Sequence, residues 1–197
     1  MAYFTIQDAR DAFERRQRTR PIRKSASQVL NEEAANIRDT DRFDIFLSHC
    51  LEDADLIVGV KVLLEEHGHK VYVDWMIDKQ LDRSRVTPET ADTIRRRMRA
   101  SDSMFFTTSE NSPASKWMPW ELGYFDGLRQ GRIAVLPLVP LQGSTFRGQE
   151  YLGLYPVVER LPTKDGRDRP FVTRGAGTRT YIELGAFRSG SGTFMAY

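Results

Sequence analysis

The chain has little of what defines several other protein classes. Its 197 residues include a single cysteine, Cys50, so it cannot form an internal disulfide. No apolar run approaches the roughly 18 residues that a membrane-spanning helix needs. The formal net charge is +2, far below that of proteins that bind nucleic acid mainly through phosphate contacts. These absences argue against a disulfide scaffold, a membrane protein and a nucleic-acid binder.

The distribution of charge suggests how the chain is divided. Residues 1–30 have no apolar stretch behind a basic start, so we expect no secretory leader and a cytoplasmic protein. Residues 41–159 carry 14 basic and 18 acidic side chains, whereas basic side chains are in excess on both sides. We therefore expect a compact domain at 41–159, a basic, helical extension at 1–40 and a Gly/Arg-rich extension with short strands at 160–197. Such flanks either stay solvated and loosely packed or dock a partner.

Short apolar strands alternate with amphipathic helices across the middle of the chain. The strand at 43–48 is followed by a helix that Asp53 can cap, because apolar residues then recur at helical spacing. A second strand follows at 69–74, and a helix that begins at Thr87-Pro88 continues to residue 100. Two more strands are predicted at 103–107 and 132–139. This order predicts an α/β fold with a parallel sheet and helices on both faces. Beyond residue 140, only 156–160 and 180–184 suggest further strands.

Polar side chains gather where the strands of such a sheet end. In a doubly wound sheet, ligands bind just outside the carboxyl ends of the strands. Ser48 and His49 follow the first strand, Asp74 and Trp75 follow the second, and residues 108–111 follow the third. We therefore expect these side chains to meet, together with the start of the next helix, at one edge of the sheet.

The start of that next helix carries an aromatic segment. Pro119 removes one helical donor after the cap residue Ser115, so we expect the regular helix to begin only near Pro119. With about 3.6 residues per turn, Trp117, Glu121 and Tyr124 share one face, which places a carboxylate between aromatic rings. Such surroundings hold a carboxylate dry for catalysis. Spacing alone, however, favours a plainer interpretation, in which the tryptophans are core anchors and Glu121 is a surface residue.

Three separate motifs together resemble those of the TIR (Toll/interleukin-1 receptor) domain family. They are Phe43-Asp44-Ile45-Phe46-Leu47-Ser48-His49, then Val71-Tyr72-Val73-Asp74, and then Ser115-x-Trp117 with Glu121 four residues after the tryptophan. They occur in family order within residues 41–140. The resemblance implies a flavodoxin-like parallel sheet, a mobile loop at 75–86 and, in the enzymatic branch of the family, cleavage of the nicotinamide glycosidic bond of NAD.

The resemblance also implies roles for individual residues. The family's catalytic glutamate corresponds to Glu121 and its tryptophan to Trp117. His49, Cys50 and Asp74 correspond to residues that line the nicotinamide-ribose pocket. With the residues of the sheet edge and of the aromatic helix face added, the expected substrate-binding residues are Ser48, His49, Asp74, Trp75, Trp117 and Tyr124.

The function implied by the resemblance is that of an NAD-cleaving enzyme. Nicotinamide is released, and water, an internal hydroxyl or another molecule accepts the ADP-ribosyl group, which makes a nucleosidase, a cyclase or a transferase. NAD is then the substrate, and no separate cofactor is expected. Small TIR proteins of this kind often make the signal in anti-phage systems such as Thoeris. We therefore also expect self-association through TIR domains and a downstream effector that senses the product, with neither nucleic acid nor membrane as a partner.

Two other functions fit parts of the sequence. A non-catalytic TIR adaptor would dock other TIR domains through 75–86, although Glu121 in its aromatic setting argues against it. A nucleoside deoxyribosyltransferase-like enzyme would use the same glutamate on a different glycoside, since Trp120-Glu121-Leu122-Gly123-Tyr124 also resembles that family. A metal site is not expected, because the three histidines are scattered and lack nearby cysteines or clustered acids.

Overall fold

The computed structural model describes residues 2–75, 87–146, 148–175 and 178–196. The strands in these ranges are β1 (Phe4–Thr5), β2 (Phe43–Ser48), β3 (Val71–Val73), β4 (Ser101–Thr108), β5 (Ile133–Val139), β6 (Val157–Pro162), β7 (Asp168–Thr173), β8 (Thr180–Glu183) and β9 (Met195–Ala196). The helices are α1 (Ile6–Arg18), α2 (Ala26–Ala35), α3 (Ala54–Glu65), α4 (Pro88–Arg99), α5 (Met118–Leu128) and α6 (Leu184–Ser189). Short 3₁₀ turns lie at Leu51–Asp53, Ser112–Ala114 and Glu150–Leu154.

One mixed sheet contains all of the described strands. Its order is β3-β2-β4-β5-β6-β7-β8-β9, and β1 pairs with β5 beside this path. From β3 to β6 the neighbouring strands are parallel and follow the flavodoxin-like order. From β6 to β9 they are antiparallel. The expected α/β fold is confirmed, with a sheet that is mixed rather than wholly parallel.

Helices cover both faces of this sheet. On one face, α1, α2, α3 and α6 pack over strand residues that include Ile45, Leu47 and Phe105. On the other face, α4 and α5 pack over Phe46 and Phe106. Successive strand residues point to opposite faces, so β2 and β4 contribute to two separate apolar cores. We call these two sides the α3 face and the α5 face.

The amino-terminal segment packs tightly on the α3 face. The helices α1 and α3 meet at Gly59, where a Cβ would overlap the backbone carbonyl of Ala9. Arginines in the last turn of α1 pair with acidic residues of α2 and of the end of α3. Arg15 lies 2.9 Å from Glu66, and Arg16 lies 2.7 Å from Glu33 and 2.8 Å from Glu65. Basic side chains of residues 1–40 thus contact carboxylates of the same chain.

The carboxyl-terminal segment extends the sheet. The sequence predicts strands at 156–160 and 180–184, and β6 and β8 lie there. It does not predict β7, because two charged residues and Pro170 make the first half of that segment unlike a strand. The second half of β7 is buried, and pairing on both sides holds the strand in place. Arg188 of α6 also pairs with Asp44 and Asp102, which ties this segment to β2 and β4.

Candidate active site

A buried glutamate lies at the carboxyl edge of the sheet, on the α5 face. Glu121 is in the first turn of α5 and is only 2% exposed. The hydroxyl of Ser48, the last residue of β2, donates a hydrogen bond of 2.6 Å to its Oε2. The two residues are 73 positions apart in the sequence, so the fold brings them together. The structure therefore places Glu121 inside the protein rather than on the surface of the helix.

The irregular start of α5 brings Glu121 to this position. Trp117 occupies the cap position, and its carbonyl accepts the backbone N–H of Glu121 at 2.8 Å. Ser115 is therefore not the cap residue as predicted, although its hydroxyl accepts the backbone N–H of Met118, the first residue of the helix, at 3.3 Å. The helix begins at Met118, so the predicted late start near Pro119 is confirmed. Because proline stands in the first turn, its missing N–H removes no bond inside the helix.

Three aromatic rings form a continuous row along α5, which we call the aromatic row. Trp117, 8% exposed, meets Trp120 edge-on with 5.4 Å between ring centroids. Trp120 stacks on Tyr124 at 5.9 Å. The guanidinium of Arg95, from α4, lies 5.3 Å from the ring centroid of Trp120 and 5.9 Å from that of Tyr124. Trp120 is missing from the residues predicted for the site, although its spacing of three and four residues from the other two rings indicates contact on a helix.

Asp74 lies on the same face as Glu121 and beside Ser48. Leu47 pairs with Val73 in the register of β2 and β3, so Ser48 and Asp74 are neighbours just beyond that pair. Asp74 is 8% exposed and accepts a hydrogen bond of 3.3 Å from the hydroxyl of Tyr72. The structure therefore brings three predicted site residues, Ser48, Asp74 and Glu121, to one edge of the α5 face.

His49 and Trp75 lie on the opposite face of this edge. Their rings stack with 6.3 Å between centroids, and Trp75 packs against the apolar core of the α3 face. The indole N–H of Trp75 donates to the side chain of Asn31 in α2 at 3.1 Å. The ring Nδ1 of His49 lies 3.2 Å from the carbonyl of Leu47. The predicted substrate-binding residues are thus divided between the two faces, because side chains alternate along each strand.

A cleft of about 550 Å³ opens beside the aromatic row. This volume falls in the range of small-molecule sites, roughly 300–1,000 Å³. Two indoles provide stacking surfaces, and two cationic side chains suit an anionic group. The cleft is therefore chemically suited to an aromatic, negatively charged ligand. The described residues that line it are Thr87, Pro88, Ala91, Arg95, Lys116, Trp117 and Trp120.

Cys50, which the resemblance places near the pocket, has a protonated thiol. The residue is 2% exposed, and its Sγ donates to Glu52 Oε2 at 2.7 Å. Burial, followed by the hydrogen bond to Glu52, raises the pKa of the Cys50 thiol to about 11. Because the thiolate is the reactive form, this cysteine is a poor nucleophile at neutral pH.

Part of the loop predicted at 75–86 lies outside the described residues, which stop at Trp75 and resume at Thr87. Within the part of the chain that the structure describes, no group of three or more His, Cys, Asp or Glu side chains could hold a metal ion. The helices in these same ranges include none that is both long and apolar enough to cross a membrane.

Comparisons with known proteins identify similar chains. A family model described as "TIR domain" matches residues 45–155. The chain is 49% identical over 138 residues to "Probable 3' cyclic ADP-D-ribose synthase ThsB'" of Bacillus cereus (strain MSX-D12), and the match covers 70% of this chain and 71% of that protein. It is 28% identical over 93 residues to "Putative cyclic ADP-D-ribose synthase TIR2" of Cytobacillus dafuensis, and this match covers 47% of this chain and 24% of that protein.

Proposed function

The chain belongs to the TIR domain family, and on that premise we propose that it cleaves NAD, releases nicotinamide and makes a cyclic form of ADP-ribose. The observation that carries this proposal is the buried Glu121, held by Ser48 at the carboxyl edge of the sheet. The names of both relatives support the same class of reaction. Glu121 is the proposed catalytic residue. The proposed substrate-binding residues are Ser48, His49, Asp74, Trp75, Trp117 and Tyr124.

One carboxylate is sufficient for this chemistry. When the bond between the ribose carbon and nicotinamide breaks, the electron pair leaves with nicotinamide, which becomes neutral, and positive charge develops on the ribose. A carboxylate close to that carbon stabilises the oxocarbenium-like transition state, as in glycosidases. Because Glu121 is buried, its charge is less screened by water and acts more strongly. The hydrogen bond from Ser48 holds the carboxylate in one orientation.

The acceptor of the ribosyl carbon decides the product. Attack by a hydroxyl of the same ADP-ribosyl group forms a ring and releases a proton, whereas attack by water gives linear ADP-ribose. Glu121 is only 2% exposed, so little water reaches it, which favours the internal acceptor. The cleft beside Trp117 and Trp120 offers room for the rest of the dinucleotide.

A single incubation tests the proposal. The purified chain is mixed with NAD, and the products are identified by mass spectrometry. We expect nicotinamide and a second product that is lighter than ADP-ribose by one water. Linear ADP-ribose alone would identify a hydrolase instead of a cyclase. Cleavage of deoxynucleosides with NAD left intact would favour the deoxyribosyltransferase-like alternative, and a folded chain that cleaves neither would contradict an enzymatic function.

In the cell, we propose that the product is a signal in anti-phage defence, made in the cytoplasm and sensed by a downstream effector. NAD is the substrate, and the proposed reaction uses no separate cofactor, nucleic acid or membrane. Cells that carry the chain should accumulate the cyclic product after phage infection, and cells that carry Glu121→Gln should not. Equal product levels in the two strains would contradict this role.

We also propose that catalysis requires association between TIR domains. The basic flanks do not support association between chains, because Arg15 and Arg16 already pair with acidic residues of their own chain. Their partners are Glu33, Glu65 and Glu66. The proposal therefore rests on family membership. Specific activity should rise with protein concentration, together with the particle size measured by light scattering. A monomer with constant specific activity would contradict it.

A further inference from the structure

Asp53 is a buried carboxylate with no part in the reaction described above. It is 5% exposed and occupies the cap position of α3, at the end of the turn Leu51–Asp53. An aspartate at this position normally accepts a hydrogen bond from a backbone N–H in the first turn of its own helix. The side chain of Asp53 makes no such bond. The prediction that Asp53 caps the helix is therefore wrong for its side chain.

Asp53 instead binds the loop that follows β4. The Ser109 hydroxyl donates to Oδ2 of Asp53, and the side-chain amide of Asn111 donates to Oδ1 at 2.7 Å. The two partners are 56 and 58 positions away in the sequence. Both carboxylate oxygens of Asp53 are thus bound by one loop from a different part of the chain.

This loop, residues 109–112, is internally tied, and we call it the anchored loop. The hydroxyl oxygen of Ser109 accepts the backbone N–H groups of Asn111 at 3.1 Å and of Ser112 at 3.2 Å. The Ser112 hydroxyl donates to the carbonyl of Ser109 at 2.9 Å. Ser109 therefore has two roles: its hydroxyl oxygen holds the turn together, and its hydroxyl proton binds the loop to Asp53.

The position of this contact in the sheet connects it to the site. The strands β2 and β4 are neighbours at the point where the strand order reverses, which is where doubly wound proteins place their ligands. The segment from Ser48 to Asp53 leaves the end of β2. The anchored loop leads from the end of β4 through the turn Ser112–Ala114 to α5 and Glu121. Asp53 therefore links the chain segment that follows Ser48, the donor, to the segment that leads to Glu121, the acceptor of the same hydrogen bond.

We propose that Asp53 is a positioning residue for the reaction, an inference that rests on the proposed NAD-cleaving function. It holds the anchored loop, and through it the start of α5, so that Glu121 stays aligned with Ser48 and with the reacting ribose carbon. A misplacement of about 1 Å at a reacting centre can lower a rate on the order of a hundredfold. Loss of the anchor should therefore lower kcat more than it changes KM.

An exchange of the two partners tests this role. Asp53→Asn keeps an acceptor oxygen for only one of its two donors, so either Ser109 or Asn111 then faces an NH₂ group, and Asn111→Asp places two carboxylates together. Each single variant should lower kcat by about tenfold or more, since alignment is lost. The double variant restores one donor–acceptor pair in the reverse direction and should recover most of kcat. Asp55→Asn, exposed in the first turn of the same helix, is the matched control and should leave kcat unchanged. Single variants that lose thermal stability but keep the wild-type kcat per folded molecule would overturn the proposal.

A crystal structure separates this proposal from the proposed function. In Asp53→Ala, or in the isosteric Asp53→Asn if truncation prevents folding, the distance between Ser48 Oγ and Glu121 Oε2 should increase from 2.6 Å to beyond hydrogen-bond reach, about 3.5 Å. An unchanged distance would overturn the positioning role even if the wild-type chain cleaves NAD. A lengthened distance supports the role even in a chain that proves unable to cleave NAD, in which case only the proposed function fails.

Discussion

The two faces of one sheet are built from different kinds of contact. On the α3 face, α1 and α3 approach so closely at Gly59 that no side chain fits against Ala9, and Arg15 and Arg16 of α1 form ion pairs with acidic residues of the same chain. On the α5 face, Glu121 is buried next to the aromatic row. Small residues and ion pairs at the edge of an apolar core are typical of packing, whereas a buried carboxylate beside aromatic rings is typical of a site for chemistry.

The difference shows how one set of strands serves two purposes. Burying a carboxylate costs free energy, and a fold tolerates that cost where the remaining contacts hold the structure together. The α3 face supplies such contacts, because its helices pack on β2 and β4 from the other side. We therefore expect substitutions in the core of the α3 face, away from the sheet edge that holds His49 and Trp75, to change stability, and substitutions near Glu121 to change turnover.

Trp117→Ala should have the largest effect, because it lowers both the stability of the fold and the turnover. Truncation of a buried indole costs roughly 3–5 kcal/mol in the free energy of unfolding, and it also exposes Glu121 to water. Urea unfolding and nicotinamide release measure the two effects. Trp120→Ala, at a half-buried position of the same row, is the comparison and should lose less stability. A Trp117→Ala variant as stable and active as the wild type would remove this indole from the site.

Glu121→Gln should abolish turnover and preserve the fold. The glutamine is nearly isosteric but lacks the charge that stabilises the developing cation, so we expect a loss of about 100-fold or more, or about 2.7 kcal/mol in the barrier. Nicotinamide release measures the loss, and circular dichroism checks the fold. Glu110→Gln, at an exposed glutamate after β4, should have no such effect. Nearly wild-type release by well-folded Glu121→Gln would exclude this residue from the mechanism.

Gly59→Ala and Gly123→Ala compare glycines in helices on opposite faces. A methyl group at Gly59 overlaps the backbone of Ala9, so overpacking should cost about 1–3 kcal/mol in the free energy of unfolding. A methyl group at Gly123 meets no described atom within 4 Å, so alanine should stabilise α5 by about 0.5–1 kcal/mol. Urea unfolding measures both changes. Equal stability of the two variants would contradict the close approach of α1 and α3.

Ser48→Ala should lower turnover by less than Glu121→Gln does, because the carboxylate itself remains. The substitution removes the hydrogen bond that orients Glu121, and a misplaced catalytic group reacts more slowly, so a loss of about tenfold in kcat is expected. Ser103→Ala is the matched control, because this buried serine of β4 donates to the carbonyl of Asp44 instead. Turnover that falls equally in both variants would show that Ser48 has no specific role.

The elements that the sequence predicts are those with local signals. Thr87-Pro88 predicts the start of α4, and the apolar spacing after Asp53 predicts α3, and both are confirmed. β7 has no such signal, because Pro170 and its charged neighbours hide a strand that pairing with β6 and β8 holds in place. Local patterns therefore predict the elements but not the full width of the sheet.

The candidate site could be predicted only in part, for the same physical reason. The rule that strand ends share an edge predicts that Ser48, Asp74 and Glu121 lie near one another, but no pattern predicts the hydrogen bond between Ser48 and Glu121. The local pattern predicts that the side chain of Asp53 caps its own helix. In the structure, that side chain instead binds Ser109 and Asn111, which are distant in the sequence. Contacts between distant segments depend on the packed structure, which a local pattern does not contain.

The central claim is that Glu121, on the α5 face, carries the chemistry and the core of the α3 face carries much of the packing. Its most direct test measures nicotinamide release per folded molecule and the urea unfolding midpoint for Glu121→Gln and Gly59→Ala, prepared and assayed together. We predict that Glu121→Gln unfolds like the wild type and releases almost no nicotinamide. Gly59→Ala should unfold at lower urea concentration while its folded molecules turn over at the wild-type rate. Equal losses of turnover in the two variants, or no loss in either, would contradict this division.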